Sequence, residues 1–131
     1  MALLAPRDIV MILDHITVTV SDFERSKAFY ERALQPLGIT VMFQFPGGAG
    51  LGKGRPQFWI NGGATGAQRA HIAFAAANRT EVDAFYAAAI AAGGKDNGKP
   101  GVRPQYHPNY YGAFVLDADG YNVEAVCHAA P

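Results

Sequence analysis

The chain has 131 residues, half of them hydrophobic, 11% aromatic and 17% charged, which is the composition of one packed globular domain and excludes disordered, collagen-like and coiled-coil readings. Its 11 basic and 11 acidic residues cancel, so the basic excess of a nucleic-acid binder is missing. No apolar run approaches the ~18 residues of a membrane span, a single cysteine, Cys127, leaves no disulfide framework, and the opening residues lack the charged leader of a signal peptide. The expectation is a cytoplasmic protein that acts on neither nucleic acid nor membrane.

In chain order, residues 1–10 read as a lead-in, and Met11 opens a strand that runs to Val20 on β-branched residues. Ser21-Asp22 offers N-cap oxygens, with Glu24 at the capping-box distance from Ser21. Apolar positions from Phe23 to Leu37 then recur at helical spacing, and Gly38 ends the helix. A strand over Ile39 to Phe45 leads to the glycine-rich Gly47 to Gly54. That stretch lacks the GK[ST] ending of a phosphate loop and is expected to be a flexible hairpin or lid at a pocket mouth, with at most a short strand at Gly50-Leu51. Gln57 to Ile60 forms another strand, and residues 61–69 a linker.

The second half repeats the plan. His71 opens a strand, Asn78 or Thr80 caps a helix carrying Val82, Phe85, Tyr86, Ala89 and Ile90, and Gly93-Gly94 stops it. A weaker strand near 95–102 precedes Tyr111 to Leu116 and Asn122 to Cys127, which flank Asp117-Ala118-Asp119-Gly120, a hairpin signal. An offset of 56 superposes the halves, and from 15 to 38 seven of 24 positions are identical, including His15/His71, Phe29-Tyr30/Phe85-Tyr86 and Gly38/Gly94. The chain therefore reads as α+β, with two tandem βαβββ modules at 11–60 and 70–128 in one compact domain. Neither sheet can bury both its faces alone, so the modules are expected to pack around a shared concavity.

The duplication singles out His15 and His71, at equivalent places on the first strand of each module. Glu124, the only acid within the last strand, sits among Val123, Ala125 and Val126, where a carboxylate is costly unless paired or metal-bound. Two histidines and a carboxylate suit one divalent ion. Between Arg103 and Tyr111 the chain packs an arginine, a histidine and three tyrosines beside the final hairpin. There His107 and Tyr110 are candidate catalytic groups, and Arg103, Tyr106 and Tyr111, together with Trp59, are candidate substrate contacts.

The segments Asp14-His15-Ile16, Phe29-Tyr30, His71-Ile72-Ala73-Phe74 and Phe114-Val115-Leu116-Asp117-Ala118-Asp119-Gly120-Tyr121-Asn122-Val123-Glu124 resemble the vicinal oxygen chelate superfamily of glyoxalases, bleomycin resistance proteins and extradiol dioxygenases. The resemblance covers residues 11–128. It implies a cupped, barrel-like mixed sheet around a metal site, with His15, His71 and Glu124 as ligands of one Zn, Ni, Mn or Fe ion. In glyoxalase I a further carboxylate stands on the last strand of the first module, where this chain offers only Gln57 as a possible fourth ligand. The implied function is a lyase- or isomerase-type enzyme acting on a small substrate that chelates the metal through adjacent oxygens, within a homodimer. An Fe(II) extradiol-type dioxygenase and a non-catalytic small-molecule binding protein are the alternatives.

Overall fold

Alternating burial along the strand Ile16–Val20, where Val18 and Val20 are buried and Thr17 and Thr19 exposed, shows which side of the first sheet meets a helix. The computed structural model describes residues 15–66 and 70–131, so the expected lead-in, the start of the first strand before His15 and residues 67–69 of the expected linker lie outside the described residues. The first module comprises β1 (Ile16–Val20), α1 (Phe23–Leu34), a 3-10 turn (Gln35–Leu37), β2 (Thr40–Phe45), β3 (Gly48–Lys53) and β4 (Arg55–Gly62). The second comprises β5 (His71–Ala75), α2 (Arg79–Ala91), β6 (Lys95–Val102), β7 (Tyr111–Leu116) and β8 (Asn122–Cys127). The two modules form separate four-stranded sheets of the same design, β1-β4-β3-β2 and β5-β8-β7-β6, each with one parallel pair. The α+β tandem plan is therefore present, but the sheets do not close into a barrel.

Helix boundaries follow from their caps. Asp22, not Ser21, is the N-cap of α1, its side chain accepting from the Arg25 N–H, so the capping box expected between Ser21 and Glu24 does not form. The Ser21 N–H is used instead by Asp119 of the second module, at 3.1 Å from both carboxylate oxygens. Asn78 caps α2 by accepting from the Glu81 N–H at 2.9 Å. Gly38 takes φ of 78°, the left-handed conformation that ends the first helical segment.

The glycine-rich stretch is the main departure from expectation. It is β3, a six-residue strand hydrogen-bonded between β2 and β4 and almost wholly buried. Only its flanks are turns, Pro46-Gly47 with Gly47 at φ 80°, and Gly54 at φ 74°. The expected linker also starts later, because Asn61 and Gly62 belong to β4, where Asn61 pairs with Gly48.

One continuous core joins the modules. Val18, Val20, Leu51, Phe58 and Ile60 meet Phe29, Tyr30 and Leu34 of α1, and the cluster continues through Val82, Phe85, Val115, Val123 and Cys127. The final hairpin latches onto the first module as well. Tyr30 donates to Asp117 Oδ2 at 2.5 Å, and Tyr121 donates to the Thr19 carbonyl at 2.5 Å. With the helix side of both sheets committed to the core, chemistry is left to the opposite, open faces.

Candidate functional site

Strand alternation places His71, Glu124 and Phe114 on the open face of the second sheet. Register brings Ala73 opposite Glu124, with Phe114 on its other side. His71 Nε2 lies 2.8 Å from Glu124 Oε1, joining a half-exposed imidazole to a carboxylate only 1% exposed. The second oxygen, Oε2, accepts from the Tyr110 hydroxyl. Burial first, and the neighbouring carboxylate second, push the Tyr110 phenol above the ordinary tyrosine range, so it stands as a donor at neutral pH. Room for this contact comes from Gly112, where a Cβ would lie 3.2 Å from the Tyr110 ring and 3.3 Å from Oε2.

His15 stands on the open face of the other sheet. It shares a cavity of about 460 Å³ with Thr17, Phe45, Pro56, Trp59 and Asn61. Among the described residues no three His, Cys, Asp or Glu side chains come together as a metal-ligating group. His15 and His71 therefore stand on separate sheets and do not join one ligand group among the described residues of a single chain. The pair His71–Glu124 nevertheless fits a divalent ion. Its N and O donors, 2.8 Å apart, are spaced near the ~3 Å of two adjacent ligands at ~2.1 Å from one ion.

Register also relocates the fourth position. Thr17 pairs with Trp59 as Ala73 pairs with Glu124, so the counterpart of Glu124 in the first module is Trp59. Gln57 lies two residues earlier on the same face of β4, level with the strand start, as Asn122 does in the second module.

The aromatic segment divides between the faces. Tyr110 faces the carboxylate, while Tyr111, one residue on, donates to Asp83 of α2 at 2.6 Å and lies under the Arg79 guanidinium, on the helix side. Both nitrogens of His107 are occupied: Nδ1 accepts from the Asn109 N–H at 3.0 Å, and Nε2 lies 2.5 Å from His128 Nδ1, with the rings stacked. Arg103 sits over the Phe114 ring and donates to the carbonyls of Gly101 and Lys99. Tyr106 is 62% exposed and packs on Tyr110 at 4.8 Å between centroids.

Sequence reasoning assigned no role to Asn61 or to the aromatic pair Phe43 and Phe45. The signal for the last was available. Across the Pro46-Gly47 turn, Phe45 pairs with Gly48 and Phe43 with Gly50, so aromatics alternate opposite glycines at strand period.

Comparison with known proteins gives one consistent answer. Residues 12–125 match the family described as the Glyoxalase/Bleomycin resistance protein/Dioxygenase superfamily. Among solved structures, a glyoxalase/bleomycin resistance protein from Albidiferax ferrireducens is 30% identical, with 89% of this chain and 99% of that chain covered at a TM-score of 0.80. A family enzyme from Burkholderia phytofirmans is 20% identical over 88% of this chain and 98% of its own, at 0.71. The fosfomycin resistance protein FosX from Listeria monocytogenes, solved as a variant with Mn(II) and 1S,2S-dihydroxypropylphosphonic acid, is 21% identical over 90% of each chain, at 0.67. Among curated proteins nothing matches the chain.

Proposed function

Because the chain belongs to the glyoxalase/bleomycin resistance protein/dioxygenase superfamily, we propose that it is a lyase- or isomerase-type enzyme whose small substrate chelates one divalent ion through adjacent oxygens. His71 and Glu124 would hold the ion, with His15 as the third ligand. The observation that carries this reading is Glu124, a carboxylate 1% exposed within an apolar strand, with His71 at 2.8 Å on the open face. Because His15 stands on the other sheet, the reading takes the third ligand from a second copy, in a homodimer whose open faces meet.

A divalent ion held there would polarise the substrate's oxygens and stabilise developing negative charge. The protein's own groups set the stage for that. Tyr110 fixes the Glu124 carboxylate by occupying Oε2 and leaves Oε1 beside His71. His71, half-exposed, remains reachable from the open side. The two candidate proton-transfer groups are both engaged, His107 by Asn109 and His128 and Tyr110 by Glu124, so a transfer at either would start from a hydrogen-bonded group. Trp59 at the counterpart of Glu124 disfavours a reaction that needs a second carboxylate. FosX, which has the same fold and was solved with Mn(II), makes manganese the first metal to assay.

The test is metal analysis of protein purified without a chelating tag, beside His71→Ala and Glu124→Gln. Close to one ion per chain, lost in both variants, is the expected result. Wild-type protein that holds no ion after dialysis against Mn, Fe, Ni and Zn salts overturns the reading and leaves a small-molecule binding protein in its place.

A further inference from the structure

The metal reading leaves the His107–His128 pair without a task, although its nitrogens meet at 2.5 Å with the ring planes 24° apart. Tyr111 pairs with Cys127, so Tyr110 and His128 are the next residues outward on the ends of β7 and β8. His107 opens the turn that delivers Tyr110, whose N–H returns to the His107 carbonyl at 3.1 Å. The loop that ends in Tyr110 is thus pinned to the end of β8 by the imidazole bond. The Tyr110 ring stands edge-on to both imidazoles, at 5.6 Å and 72° from His107 and at 5.3 Å and 88° from His128. Tyr106 packs on its remaining side at 4.8 Å. Three rings hold the phenol whose hydroxyl occupies Glu124 Oε2.

The hydrogens of the pair are assigned by its neighbours. The Asn109 N–H donates to His107 Nδ1 at 3.0 Å, so neutral His107 carries its hydrogen on Nε2 and donates it to His128 Nδ1. Each ring then takes a further proton only at Nδ1, the nitrogen that is accepting a bond. A first added proton removes one of the two bonds, and a second leaves two cationic rings facing each other. No carboxylate pairs with either imidazole among the described residues, since Glu124, the acid on β8, faces Tyr110 and His71. The other groups around the pair are the phenols of Tyr110 and Tyr106, the Cys127 thiol, which accepts from the Ala129 N–H, and the Arg103 guanidinium, whose charge reaches Tyr110. None of them supplies a negative partner for a protonated ring.

We propose that His107 and His128 are positioning residues whose bond clasps Tyr110 and keeps its hydroxyl on Glu124, and that the clasp opens in acid. The open form binds protons for which the closed form has no free nitrogen. Closure is therefore complete above the ordinary histidine value of ~6.5 and is lost as pH falls below it. The consequence for metal binding rests on the reading of Glu124 as a ligand. The clasp itself is tested in metal-free protein, so the two fail separately.

The test labels the tyrosine rings with carbon-13. The chain has six tyrosines, and the signal missing from Tyr110→Phe belongs to Tyr110. In metal-free protein that signal is expected to move between about pH 7.5 and 5, together with the imidazole nitrogen signals of His107 and His128. His128 is exposed, so replacing it spares the core. His128→Asn keeps an acceptor near the place of Nδ1 but takes no proton, and is expected to leave only the movement that His71 and Glu124 contribute. His128→Ala is expected to displace the signal even above the histidine range, and there to weaken Mn(II) binding about tenfold, with His128→Asn close to wild type. A Tyr110 signal that moves equally in wild type and His128→Asn overturns the proposal, as does one indifferent to His128→Ala. Unchanged Mn(II) affinity in His128→Ala overturns the positioning role. Wild-type protein that binds no Mn(II) refutes the metal reading, and the Tyr110 signal then decides the clasp alone.

Discussion

Tyr110→Phe removes one oxygen and isolates what that oxygen does for Glu124. The carboxylate is 1% exposed, its Oε1 faces His71 Nε2 at 2.8 Å and its Oε2 accepts from Tyr110. Without the hydroxyl, Oε2 is left buried and charged with its donor gone, which costs about 1–3 kcal/mol of folding stability. The carboxylate also becomes free to turn, and losing such an orienting partner lowers metal affinity by about 10–100-fold. Urea unfolding of the metal-free protein reads the first effect, and calorimetric titration with Mn(II) reads the second. In a Glu124→Gln background the stability loss from Tyr110→Phe is expected to fall below about 0.5 kcal/mol, because the charge that required the donor is gone. Additive stability losses in the double variant, together with unchanged Mn(II) affinity in Tyr110→Phe, would refute the positioning argument.

Three further predictions concern the frame that holds the site. Tyr30 is fully buried and donates to Asp117 at 2.5 Å, so Tyr30→Phe should lower the unfolding free energy by about 1.5–3 kcal/mol, the value of a hydrogen bond to a charged group, as measured by urea denaturation. Burial raises the Asp117 carboxyl above its ordinary value, in spite of its bonds from Tyr30, Tyr121 and Asp119. The folded state therefore binds this proton more tightly than the unfolded chain. Its contribution to stability falls as pH rises from the unfolded value of ~3.9 through the raised folded one. Wild-type stability relative to Asp117→Asn should accordingly decline across that window, and a flat difference would contradict the assignment. Gly94→Ala should cost about 1–3 kcal/mol by overpacking, since a Cβ there would lie 2.9 Å from both the Ala89 carbonyl oxygen and the Phe29 ring of the other module.

What the sequence made legible was whatever repeats or alternates locally. The offset of 56 located both helices, and the Asp117–Gly120 signal located the final hairpin, because caps and turn residues act within four residues of themselves. Glu124 could be singled out because a carboxylate among Val123, Ala125 and Val126 contradicts the pattern around it. Gly48 to Lys53 was illegible for the opposite reason. Its glycines carry no strand propensity, and the strand is specified from outside by the Phe45 and Trp59 rings that cover it. Tyr110 and Tyr111 are equivalent as letters, yet the pleat sends one to the carboxylate and the other to α2. Only register separates them.

Duplication alone does not bring the two histidines together among the described residues of one chain. A duplicated strand reproduces the position of its histidine on its own sheet, and nothing in that operation fixes how the two sheets face each other. Here their relation is set on the helix side, by the core and by the bonds that Tyr30 and the Ser21 N–H donate to Asp117 and Asp119 and that Tyr121 donates to the Thr19 carbonyl. That latch commits one face of each sheet and leaves the other open, with an imidazole on each. The modules then diverged at the counterpart of Glu124. One sheet carries a buried carboxylate at this position beside His71, and the other carries Trp59. One substitution tests this difference: Trp59→Glu should add a carboxylate beside His15 and raise the affinity of the first sheet for Mn(II), as read by calorimetric titration. A variant whose Mn(II) affinity is unchanged would show that His15 and the Trp59 position do not form the counterpart of the His71–Glu124 pair.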